Sequence, residues 1–99
     1  MKLFIAMQNN KIVATGAYDK KFINAVYVKY NLIGKGIGTK IIKRIISEAK
    51  KNGLKTIRCQ SSLFAEKTYA KLGFKKIRKI TQPYSGSTVT YILMEKQLK

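Results

Sequence analysis

The chain has no tryptophan, no histidine, one cysteine and one proline. The lone Cys59 excludes an internal disulfide, and without a second cysteine or any histidine it has no partners for a familiar zinc site. With Pro83 as the only proline there is no proline-rich linker. Acidic residues are scarce as well: 4 Asp and Glu stand against 21 Lys and Arg, for a formal net charge of +17. Such a surface draws phosphorylated ligands, nucleic acid or acidic proteins, and a lysine-rich composition with solvated side chains accounts for it equally well. Long apolar runs are missing. A membrane span needs about 20 apolar residues, whereas the run from Met1 to Met7 gives way at once to Gln8, Asn9 and Asn10. The expectation is a cytoplasmic protein that does not engage a membrane.

What is present suits one small domain over residues 1–99, with 45% hydrophobic residues. Leu3 to Met7 and Lys11 to Ala17 are apolar runs either side of Gln8-Asn9-Asn10, the pattern of a hairpin. Phe22 to Val28, rich in β-branched and aromatic residues, predicts a third strand. Ile37, Ile41, Ile42, Ile45, Ile46 and Ala49 then recur at helical spacing, with Lys40, Lys43, Arg44, Glu48 and Lys51 on the other face, until Asn52-Gly53 stops the helix. Leu54 to Gln60 predicts a strand. Ser61-Ser62 offers a cap for a shorter helix over about Leu63 to Leu72, ended by Gly73. Strands at Lys75 to Thr81 and Thr88 to Glu95 flank a turn over Gln82 to Ser87. The fold class expected is α/β in the α+β sense: a mostly antiparallel mixed sheet with two main helices and one parallel crossover through the first helix.

Gly34, Gly36 and Gly38 stand between the third strand and the isoleucine-striped helix. Glycines let the backbone turn sharply and approach a ligand, and the amides of a first helical turn point at an anion with the helix dipole behind them. The P-loop order Gly-Lys-Ser/Thr is reversed here at Thr39-Lys40, and position 39 is not the glycine or alanine of the dinucleotide fingerprint. A tight turn with no ligand fits the three glycines on their own.

Tyr27-Val28, the loop Gly34-Lys35-Gly36-Ile37-Gly38, the striped helix, Ser61-Ser62, Ala65 and Tyr69-Ala70-Lys71-Leu72-Gly73-Phe74 resemble the GNAT superfamily of N-acetyltransferases in order and spacing, over roughly residues 12–98. The resemblance implies acetyl-CoA as acyl donor with no metal. It implies that the amides of Ile33, Gly34, Lys35, Gly36, Ile37, Gly38 and Thr39 hold the pyrophosphate, that the backbone at Val26, Tyr27 and Val28 pairs with pantetheine, and that Tyr69 protonates the leaving thiolate. Ser62 reads as a helix cap that also reaches the cofactor. Three positions depart from the family pattern: Ile33 replaces its Gln or Arg, Phe64 replaces an asparagine after the serines, and Phe22 and Asn24 stand where a glutamate base is often found.

The resemblance also implies a start at the family's second strand, which leaves a sheet edge for a second copy to cover as a homodimer or for another protein to complete. Cys59 reads as a small buried hydrophobe rather than an acyl carrier, having no histidine to activate it. The function expected is direct acetyl transfer to a primary amine of unidentified acceptor. The alternative is a reduced module that binds CoA, nucleic acid or an acidic partner without turnover.

Overall fold

The computed structural model describes residues 2–98, the side chains of Asn24 and Ala25 excepted. Its elements run β1 (Lys2–Gln8), β2 (Lys11–Asp19), β3 (Phe22–Val28), α1 (Ile37–Lys51), β4 (Thr56–Ser61), α2 (Glu66–Lys71), β5 (Lys75–Tyr84) and β6 (Ser87–Gln97), with a 3₁₀ turn at Tyr30–Leu32 ahead of α1. Among the described residues the strands make one six-stranded sheet in the order β1-β2-β3-β4-β6-β5. Every neighbouring pair is antiparallel except β3 with β4. The mixed sheet with one parallel crossover is therefore the architecture that the element order implied.

Turn chemistry sets the hairpins. Asn9 and Asn10 both have positive φ, 54° and 63°, the twist that lets a two-residue turn join strands of right-handed twist. Ser85 and Gly86 repeat the device between β5 and β6, with φ of 50° and 79°. The connection expected over Gln82 to Ser87 is thus shorter, and Gln82, Pro83 and Tyr84 belong to β5. Proline is tolerated there because β5 is an edge strand, where a missing N–H leaves no ladder unfilled.

The core lies on one face of the sheet. Ile41, Ile42, Ile45, Ile46 and Ala49 of α1 are buried against Ala14, Ile23, Ile57, Cys59, Ile92 and Met94 of the strands. Each isoleucine buried there contributes roughly 1.5–3 kcal/mol of transfer free energy. Gly16 is where α1 comes closest to the sheet: a Cβ on it would collide with Ile41 and stand 3.2 Å from Cδ1 of Ile45. Tyr69 of α2 enters the same cluster and meets Phe74 edge to face, with ring centroids 5.2 Å apart. Several boundaries differ from the sequence reading, and two elements start more than one residue later than expected. β4 begins at Thr56, and α2 begins at Glu66, because residues 63–65 form a turn in which the Ser62 hydroxyl accepts the amide of Ala65 at 3.0 Å.

Candidate functional site: a glycine-loop cleft

Among the described residues β3 and β4 pair only through Phe22↔Arg58 and Ile23↔Cys59, although β3 runs on to Val28 and β4 to Ser61. On its other side β3 stays paired to β2, Ala14 with Val28 and Thr15 with Tyr27. The register shift between Thr15 and Ala17 marks a bulge that bends these strands. The strands therefore part, and the edge of β3 at Val26 to Val28 that faces β4 is left without a ladder.

A cleft of about 970 Å³ occupies the opening. The glycine loop closes one end. Gly34 and Gly36 have φ of 89° and 83°, a left-handed conformation that a side chain would strain, and Gly38 is helical with a would-be Cβ 3.2 Å from Cγ2 of Val28. The first bond of the α1 ladder runs from the Lys40 amide to the Gly36 carbonyl at 3.1 Å. The amides of Gly36, Ile37, Gly38 and Thr39 stand ahead of it, at the positive end of the helix dipole. The family resemblance implies the amides from Ile33 to Thr39 as one anion-facing set. Those of Ile33 and Lys35 instead donate to the carbonyls of Tyr30 and Leu32, both at 3.4 Å, so the anion-facing set is narrower.

Of the residues singled out beforehand, Val26, Tyr27, Val28, Ile33, Gly34, Gly36, Ile37, Gly38, Thr39, Ser62 and Tyr69 line this one cleft, and Lys35 does not. Lys43 and Lys71 line it and were missed as contributors. Lys43 lies four residues past Thr39, one helical turn further along the same face, which is the signal that identifies it. Lys71 is placed by the packing of α2, which no local pattern encodes. Among the described residues no Asp or Glu lines the cleft. Glu48 is paired with Lys2, and Glu95 accepts from the Arg58 guanidinium at 2.8 Å. The side chain of Asn24, one of the two departures at the usual base position, lies outside the described residues; Phe22 is half-buried.

Tyr69 is 5% exposed, and burial, assisted by the neighbouring Cys59, holds its phenol well above the usual range, so it stays protonated at every physiological pH. Burial also pushes the Cys59 thiol up to about 12. The thiol stays protonated and poorly nucleophilic, as its place in the core requires. Among the described residues no group of three His, Cys, Asp or Glu could hold a metal ion, and no helix is long and apolar enough to cross a membrane.

Solved structures share this fold. A GCN5-related N-acetyltransferase from Rhodopseudomonas palustris superposes with a TM-score of 0.91 at 22% identity, over 96% of this chain and 60% of its own. A putative acetyltransferase from Salmonella typhimurium, solved with its cofactor acetyl-CoA, gives 0.81 at 21% identity, over 98% of this chain and 64% of its own. The ribosomal-protein-S18-alanine N-acetyltransferase of Escherichia coli gives 0.82 at 20% identity, over 99% and 69%. The chain thus spans three fifths to about two thirds of the length of these proteins. No curated protein matches it. The family description of an acetyltransferase (GNAT) domain fits residues 1–98 in sequence, and with that match the chain belongs to the GNAT acetyltransferase family.

Proposed function

We propose that the chain binds acetyl-CoA in the cleft and transfers the acetyl group to a primary amine. The observation that carries the proposal is the continuity of the cleft. It runs from the α1 amides, past the unpaired edge of β3, to Tyr69. Acetyl-CoA supplies an activated thioester and an anionic pyrophosphate. The amides of Gly36 to Thr39 hold the pyrophosphate, with Lys43 and Lys71 adding positive charge. The free edge of Val26 to Val28 offers backbone donors and acceptors to the amide-bearing pantetheine arm. That pairing fixes the thioester beside the core end of the cleft.

The chemistry left to the protein is proton traffic. As the amine nitrogen bonds to the acetyl carbon and the carbon–sulfur bond breaks, Tyr69 gives its hydroxyl proton to the departing sulfur. With no carboxylate among the described residues that line the cleft, water takes the proton that the amine loses, and solvent restores the phenol. The amine attacks in its neutral form. The expected site of action is the cytoplasm. Release of free thiol from acetyl-CoA over a panel of amines tests the reading; binding with no release from any amine would leave a CoA-binding module. That second reading draws on a cleft wall without Asp or Glu among the described residues and on the net charge of +17.

A further inference from the structure

β1 forms an edge of the sheet, with β2 as its only strand partner among the described residues. Alternate N–H and C=O groups of Lys2–Gln8 therefore face outward with no ladder to join. Edge strands are usually blunted by charge or proline. From Leu3 to Met7 β1 carries neither. Period-two alternation sends Phe4 and Ala6 toward the core, where they pack against the buried cluster, and Leu3, Ile5 and Met7 outward, 63%, 49% and 57% exposed. Beside this edge, between β1 and the first half of α1, runs a groove of about 500 Å³. Its floor is apolar, its cations are Lys40 and Arg44, and among the described residues no carboxylate lines it.

We propose that this edge and groove receive an extended segment of an acidic partner polypeptide, which adds to the sheet as a strand outside β1. A strand laid there sits about 4.8 Å from β1 and shows alternate side chains to the two faces of the sheet. Acidic residues on one face meet Lys40 and Arg44, and apolar residues on the other continue the patch of Leu3, Ile5 and Met7. The backbone selects the class of partner. An unpaired strand edge needs donors and acceptors in alternation: a bilayer core offers neither, and nucleic-acid phosphates only accept. A second copy of the chain offers a strand but brings a net charge of +17 against an equal charge. An acidic strand satisfies both the edge and its rim.

The probe is a ten-residue peptide of alternating glutamate and valine with blocked ends, added to the full chain. Its controls replace glutamate by lysine, or two valines by proline. The expected result is binding by the glutamate peptide alone, with slowed amide exchange at residues 3–7. Reversing the rim charges with Lys40→Glu and Arg44→Glu together, two exposed side chains, should weaken binding by about tenfold or more in a variant whose melting curve shows it folded. Unchanged exchange in β1 at saturating peptide would overturn the proposal, as would indifference to the charge reversal. Protection of β1 in the protein alone, rising with concentration as a dimer forms, would give the edge to a second copy. Equal protection by anionic vesicles or by an oligonucleotide would also overturn it.

Discussion

Ile23 and Cys59 form the last parallel pair between β3 and β4. Both are buried, at 3% and 0% exposure, so the sheet is closed and packed at that point and opens immediately beyond it. The cleft thus begins at a core residue, and the same burial that anchors the strands sets the chemistry of Cys59.

That burial has a pH signature. The folded thiol titrates near 12, above an unfolded value of about 8.5. A pKa raised by folding contributes stability that is complete below the unfolded value and is lost as pH rises toward the folded one. Denaturant midpoints should therefore fall from about pH 8.5 upward. The Cys59→Val variant should fall less steeply over the same range. An unchanged alkaline slope in the variant would show that the thiol is not the group responsible.

Gly16 should tolerate no side chain, because the space for its Cβ is taken by Ile41 of α1. Gly16→Ala is expected to cost about 1–3 kcal/mol through displacement of the helix. In a domain of this size each kcal/mol lowers the melting temperature by about 4–8 °C. A melting curve superimposable on that of the unaltered protein would contradict the close approach of β2 and α1.

Lys43 is one of two cations, with Lys71, that the structure adds to the proposed cofactor cleft. Lys43→Glu reverses a charge on the cleft wall without touching the glycine loop, and acetyl-CoA affinity should drop by about tenfold at low ionic strength, less at high. Equal affinities for the two proteins would place Lys43 outside the reach of the phosphates. Gly36 is a poor position for the same question, since its φ of 83° makes any side chain strain the loop itself.

What could be read in the sequence follows from how local each signal is. The bounds of α1 and β3 match because an isoleucine stripe with its stop at Asn52-Gly53, and an unbroken β-branched run, are complete within their own segments. α2 proved shorter, because Ser62 caps a turn before the helix instead of the helix itself. Pro83 signalled a turn, but the edge position of β5, a property of strand order, lets it remain in the strand. Most of the cleft was legible through the glycines and the family pattern. The engagement of the Ile33 and Lys35 amides, the approach of Lys71 and the groove beside β1 depend on how distant segments pack, and nothing in their own neighbourhoods encodes that.

Tyr69 separates an enzyme from a binding module. Tyr69→Phe keeps the ring against Phe74 and removes the proton donor, so acetyl-CoA affinity and melting temperature should hold while kcat falls by about 10- to 100-fold. The raised phenol pKa adds that the unaltered enzyme should show no loss of kcat from this group on the alkaline side below about pH 10. A purely structural hydroxyl would instead lower stability by about 1 kcal/mol and leave kcat alone.

The proposed anion site at the start of α1 opens into the gap between β3 and β4. Titration calorimetry with acetyl-CoA at low and at high ionic strength tests it most directly. Saturable one-to-one binding that weakens as salt rises is the result expected from amides and lysines facing a pyrophosphate. No detectable heat at either ionic strength, with the protein folded, would contradict the assignment of the cleft.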